Sequence, residues 1–485
     1  MSTVQRIARN TAVMLIAQVL SSVVGFFSVM FMARYLGAEN YGVLSFALAF
    51  TGIFGILTDL GVGRLATREI ARDKSLTAKY LINLSTIKAI AVAATFALIA
   101  LTINLMNYPQ QTITVVYLAG LAVVINAFSQ IFSGIFVAYE RMEYHSLGLF
   151  FYSIAMLVGV VLATRFKLGV VDFAVLWCLA SAVVLLYSFA VYRRKFAQPQ
   201  AGNVTVKAGI DWSLSKSLVK AALPLLLASI FTVIAYRIDM VMLSQMKGDA
   251  AVGLYSAAYT LINALGFIPV AFTVALYPVL SQLHISAQDS LRFAYQKSFK
   301  YLLLVGLPIA VATTLVADRI ILGIYSGGFS EAAAALRILI WTAPFNFLNM
   351  LLVTMVISIN RQDLITRVAL LSMVLNVIGN LILIPKYSYT GASIATAVTG
   401  ALAFALYLYF VSRLVCRVEL HRLIVKPAIA CGVMAGSLIL LQHLNLFLVV
   451  PIAAIIYLAV LFLLRTFTRE DFDLLRQIAA RRKAG

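Results

Sequence analysis

Ionisable side chains sit in stretches that are otherwise almost wholly apolar. "VIAYRIDMVML" (233–243) holds Arg237 and Asp239, and "NLSTIKAIAVAATF" (83–96) holds Lys88. "ILTDLGVGRLATREIA" (56–71) holds Asp59, with Arg64 five residues on. A charge at the centre of a bilayer costs about 2.5–3.5 kcal/mol on insertion scales, so it is kept where it meets a partner, a wet cavity or a ligand. Arg237 and Asp239 are two apart, about 200° around a helix, and cannot neutralise each other directly. Each needs its own environment: Asp239, near one end of its run, could be solvated at the interface, and Arg237 and Lys88 could snorkel to the surface. Asp59 suits either a structural salt bridge or a ligand contact. The deepest charges read as cationic, so a cavity among them prefers an anion. Asn376 and Asn380 are one turn apart on one face and suit hydrogen bonds between helices or to a hydroxyl-rich ligand. No phosphate-cradling loop occurs, and neither the four histidines nor the three cysteines fall at metal-binding spacing. No catalytic residue, cofactor or metal is therefore expected.

The elements that position these residues follow from composition. Of 485 residues, 62% are hydrophobic and 12% charged; a soluble domain is nearer half apolar and a quarter charged. The chain reads as an all-α polytopic membrane protein. Its net charge of +20 would suggest nucleic acid in a soluble protein. Here the basic residues cluster between apolar runs, which points to topology and membrane lipid instead. A crossing needs about 20 apolar residues, and fourteen runs qualify: 11–33, 41–63, 80–104, 112–139, 145–164, 168–192, 219–243, 250–282, 299–317, 335–359, 364–384, 390–412, 424–442 and 446–464. With the N-terminus inside, 29 of the 38 basic residues fall on the cytoplasmic side and 7 outside. Both termini are thus expected in the cytoplasm. Asp211 is placed to cap a short helix in the longest loop. "REIARDKSLTAKYL" and the tail "REDFDLLRQIAARRK" read as basic interfacial helices. Pro224, Pro269, Pro278, Pro308 and Pro344 should kink or break their runs.

The chain also repeats itself. "LGAENYGVLSFALAFTGIFG" (36–55) aligns with "KGDAAVGLYSAAYTLINALG" (247–266) at one offset, pairing Gly37 with Gly248, Gly42 with Gly253 and Gly55 with Gly266. A weaker echo joins "YERMEYHSLGLFF" to "INRQDLITRVALL". Matching helices are six crossings apart, so the copies are parallel. The expected architecture is two six-helix lobes around a central cleft plus two extra C-terminal helices. Its segments are 1–195, a linker at 196–218, 219–415, the last two helices at 416–465, and a basic tail at 466–485.

"ARYLGAENYGVLSFALAF", "TDLGVGRLATREIAR", "YRIDMVMLSQMKGDAAVGLYSAAYTL" and "NRQDLITRVALLSMVLNVIGNLILIPKYSYTGASIATAVT" resemble the polysaccharide-transport branch of the multidrug/oligosaccharidyl-lipid/polysaccharide (MOP) flippase superfamily, with the likeness running over essentially the whole chain. The resemblance implies a Wzx-type flippase. Such a protein is a transporter, not an enzyme, and carries a polyprenyl-diphosphate-linked O-antigen or polysaccharide unit across the cytoplasmic membrane, alongside glycan polymerase and ligase machinery. Relatives that flip the peptidoglycan precursor carry arginines in the first two spans. This chain has Gln18 and no arginine in the body of the second, which argues against that substrate. The anion would meet Arg237 and Lys88, with Arg64 at the cytoplasmic end. The rival readings are a cation-coupled multidrug exporter of the same superfamily and a non-transporting partner in glycan assembly.

Overall fold

The structure, a computed structural model, describes residues 3–197 and 209–467. Those residues are mainly helical, with short turns between the helices and no strand among them. In chain order the helices are α1 (Thr3–Gly55), α2 (Val62–Arg72), α3 (Thr77–Leu105), α4 (Gln110–Ala138), α5 (Met142–Arg165), α6 (Val170–Lys195) and α7 (Trp212–Lys247). Then follow α8 (Asp249–Ala264), α9 (Phe267–Ser286), α10 (Gln288–Tyr325), α11 (Ala332–Leu339), α12 (Thr342–Ser358), α13 (Asp363–Leu414), α14 (Leu420–Leu440) and α15 (Leu446–Leu463).

Twelve stretches among the described residues are long and apolar enough to cross a membrane. Two of them hide a turn. Ile16–Thr58 breaks at Gly37 (φ 74°, ψ 173°), and Asp363–Leu414 breaks at Ser388 (φ 53°, ψ −134°). Dividing each gives the fourteen crossings expected from the apolar runs. Two expected runs carry a break instead: 250–282 divides into α8 and α9, and 335–359 into α11 and α12. Pro269 and Pro344 lie in the first turns of α9 and α12, where a missing N–H costs nothing. Pro224, Pro278 and Pro308 lie inside their helices. The expected tail helix at 469–483 lies outside the described residues.

The repeat is visible in the backbone. Gly248 (φ 83°, ψ 176°) repeats the conformation of Gly37, one that side chains rarely adopt. The α1 and α8 helices cross reciprocally there. A Cβ on Gly42 would lie 1.8 Å from the Asp249 carbonyl oxygen, and one on Gly253 would lie 1.9 Å from that of Ala38. Ala38 and Asp249 are themselves repeat partners. The weaker echo holds too: Glu140 (φ 58°) and Asn360 (φ 57°) make the same turn. Arg141–Glu143 and Arg361–Asp363 then form the same local ion pair, at 3.4 and 3.1 Å.

The chain packs into two compact units, one comprising 1–264, 324–332 and 365–396, the other 265–323, 333–364 and 397–485. In the first, α2 is amphipathic. Val62, Ala66 and Ile70 enter a core with Tyr80, Leu84, Ile131 and Ile135, while Arg64, Arg68 and Arg72 stay exposed. Leu218 and Ala222, in the first turns of α7, join that same core. Asp211 does cap a helix, accepting a hydrogen bond from the Leu214 N–H at 3.0 Å, but that helix is the whole of α7 rather than a short one. Buried Asn83 fastens the cap: its amide accepts from Asp211 N–H (2.7 Å) and Ser215 hydroxyl (3.2 Å) and donates to the Gly209 carbonyl (3.1 Å). Lys79 pairs with Asp211 at 2.8 Å, and that bond holds the Asp211 carboxyl below its ordinary range. In the second unit, Ala430, Met434, Val449, Ala453 and Tyr457 of α14 and α15 pack on Leu304 of α10, where the Tyr457 hydroxyl donates to the Leu304 carbonyl at 3.0 Å.

Candidate functional site

The expected site residues, all in the first unit, separate into four settings. Lys88 is 1% exposed and neither snorkels nor faces a cavity. Its ammonium pairs with Asp59 at 2.9 Å and donates to the Ala127 carbonyl at 3.1 Å. Asp59 stands where α1 ends and the chain reverses through Leu60 and Gly61, both at positive φ. A buried ammonium loses several kcal/mol of hydration, which a close carboxylate and a carbonyl offset. The pair ties the α1–α2 corner to α3 and leaves little charge for a ligand.

Asp239 is also buried, at 1% exposure, so it is not solvated at an interface. One carboxylate oxygen accepts from the Asn380 amide at 2.6 Å; the other accepts from the Tyr255 and Thr396 hydroxyls at 2.7 and 2.6 Å. Asn380 also donates to Asn376 at 3.1 Å. These two asparagines, 0% and 1% exposed, form the shared polar face expected from their spacing. Two of their atoms, Asn376 Nδ2 and Asn380 Oδ1, are buried with no partner. No basic side chain contacts the Asp239 carboxylate among the described residues. A lone carboxylate amid neutral donors and an idle carbonyl can hold a proton or a small monovalent cation. Among the described residues no three His, Cys, Asp or Glu side chains converge as a metal cluster would require.

Arg237 faces the other way. The expected turn of about 200° puts Asp239 inside and leaves Arg237 exposed. Its side chain runs past Gly52 of α1: a Cβ there would lie 3.6 Å from Nε and 3.7 Å from Cζ. It makes no hydrogen bond or ion pair among the described residues. Tyr259, whose ring stacks on Tyr255 at 5.7 Å, lies within electrostatic reach of both Arg237 and Asp239. Arg64 stands apart, exposed on α2 and without a hydrogen bond or ion pair among the described residues. The expectation that the deep charges are cationic is thus corrected. Lys88 is matched by Asp59, and Arg237 is accompanied by a buried carboxylate. Sequence reading missed Tyr255, Thr396 and Gly52. Their only signal is a hydroxyl or a missing side chain within a span, which is common in membrane helices.

Residues 7–284, more than half of the chain, match the polysaccharide biosynthesis protein family. The chain belongs to that family. Residues 224–382 also match the MatE family. Among curated proteins it is 23% identical over 238 residues to the uncharacterized membrane protein MJ1068 of Methanocaldococcus jannaschii, covering 49% of this chain and 46% of that one, about half its length. It is 20% identical over 411 residues to the capsular polysaccharide biosynthesis protein CapF of Staphylococcus aureus, covering 84% and 99%. The probable low-salt glycan biosynthesis flippase Agl15 of Haloferax volcanii is 22% identical over 418 residues, covering 84% of each chain. The fold matches that of the lipid II flippase MurJ in its inward closed conformation, with TM-score 0.77 at 14% identity, covering 92% of this chain and 97% of that one. The family resemblance carried by the motifs therefore holds: the protein is a multi-pass, all-α member of the MOP flippase superfamily on the polysaccharide side.

Proposed function

We propose that this flippase carries a polyprenyl-diphosphate-linked oligosaccharide unit across the cytoplasmic membrane, with Arg237 taking the diphosphate. The observation that carries the reading is Arg237 itself: a guanidinium inside a crossing, exposed, and with its donors unused among the described residues. Planar N–H pairs match phosphate oxygens bidentately, and a ligand is what repays keeping such a group in a membrane helix. The exposed phenol of neighbouring Tyr236 suits the hydroxyls of a glycan. The two like-oriented halves, 1–195 and 219–415, would rock in alternating access, with both termini in the cytoplasm and the glycan handed to polymerase or ligase machinery outside. Lys88 and Asp59 hold the frame, Arg64 meets the headgroup at the cytoplasmic end, and the Asp239, Asn376 and Asn380 cluster couples transport to a proton or small-cation gradient.

The MatE match over 224–382 and the buried Asp239 favour one other reading, a cation-coupled exporter of organic cations. Proteoliposomes separate the two. A fluorescent polyprenyl-diphosphate-linked oligosaccharide should reach the inner leaflet faster with the protein than without it, and Arg237→Gln should slow that transfer. Gradient-driven export of an organic cation with no acceleration of the lipid would reverse the assignment.

A further inference from the structure

We infer that Gly52 is a positioning residue for Arg237, holding the guanidinium extended and unpaired so that it can meet an anionic headgroup. This rests on the reading of Arg237 given above. An arginine on a membrane helix has a long, flexible stem that swings toward the nearest headgroups or carboxylate. Here the stem lies along α1, with Nε, Cζ and Cδ 3.6, 3.7 and 4.0 Å from where a Gly52 side chain would begin. Those are ordinary van der Waals separations, so a bare backbone fills the space beside the stem without pressing on it. Any branched side chain at 52 would occupy the path the guanidinium now takes.

The internal repeat supplies an independent observation. At the offset that superposes the copies, Gly37, Gly42 and Gly55 recur as Gly248, Gly253 and Gly266, the first pair where the turn and the second where the helix crossing requires it. Gly52 does not recur: its partner is Asn263. Arg237 has no basic counterpart either, since the matching residue is Phe26. The chain has therefore placed a glycine outside that repeated set where the arginine stem passes. Glycine in a helix interior is unfavourable relative to alanine, so helix formation does not account for it.

A double-mutant cycle tests the inference. Binding of a fluorescent polyprenyl diphosphate would be measured in detergent for the native protein, Gly52→Leu, Arg237→Gln and the double variant, with thermal melting alongside. Gly52→Leu should weaken binding about tenfold, the size of one charge-assisted hydrogen bond, and should add nothing in the Arg237→Gln background. Gly52→Ala, whose Cβ would meet the stem only at van der Waals distance, should raise the melting temperature and leave binding near native; Gly52→Val, which branches at that Cβ, should weaken binding and keeps the test available if the leucine variant misfolds. Equal weakening by Gly52→Leu in both backgrounds, or a folded Gly52→Val variant that binds as the native protein does, would overturn the inference. No effect of Arg237→Gln alone would instead overturn the functional reading beneath it.

Discussion

Two charged places in the first unit differ in one respect. Lys88 on α3 and Asp59 at the α1–α2 corner meet at 2.9 Å; Arg237 and Asp239 share a helix and are turned away from each other. The first pair cancels within the fold, and its members then serve as a clasp between α3 and the α1–α2 corner. In the second, helical twist separates the charges, leaving one cation exposed and one anion enclosed among neutral donors. Lipid makes both arrangements costly. Only the second leaves charge that something outside the chain must answer.

The largest effect that would sharpen this contrast is on transport. Arg237→Gln should reduce the rate of lipid-linked oligosaccharide transfer by about a hundredfold, the size of a lost bidentate contact to phosphate, with little change in melting temperature. Lys88→Met should do the opposite. It strands the Asp59 carboxylate and should destabilise the fold by about 3 kcal/mol, the low end for a broken buried pair because Asp59 is 30% exposed. Adding Asp59→Asn should restore most of that loss, as read by thermal melting. Asp239→Asn keeps a similar shape among Tyr255, Thr396 and Asn380 and should alter stability by no more than about 1 kcal/mol. It should abolish any dependence of transport on a proton or sodium gradient; retention of that dependence would move coupling elsewhere.

The smallest effect concerns the clamp beneath α7. Hydrogen bonding from Lys79 lowers the Asp211 carboxyl in the folded state. Its contribution is therefore complete above the ordinary carboxylate pKa, near 4, and fades as pH falls through the lowered value. Amide exchange at 212–218 should accelerate in that acid range. In Lys79→Gln the acceleration should begin at higher pH, and identical profiles would deny the clamp its role.

Much of the fold could be read from residue patterns because a membrane simplifies them. Apolar runs give the crossings, and glycine marks the turns at Gly37 and Gly248. The length of α7 could not be read, because its opening stretch WSLSKSL (212–218) is polar and reads as loop rather than as part of the apolar run at 219–243. The separation of Arg237 from Asp239 followed from their spacing alone. The partner of Lys88 did not: Asp59 lies 29 residues away in the α1–α2 corner, and nothing local links them. Tyr255 and Thr396 stayed hidden for the same reason, since each reaches Asp239 only through tertiary packing.

The most direct test compares the two charged places in one proteoliposome experiment. Transfer of a polyprenyl-diphosphate-linked oligosaccharide would be measured for the Asp59→Asn/Lys88→Met double variant and for Arg237→Gln. The account predicts that the double variant, its clasp replaced by neutral groups, still transfers the lipid, whereas Arg237→Gln does not. Transfer by Arg237→Gln at the native rate, with loss in a folded double variant, would contradict it.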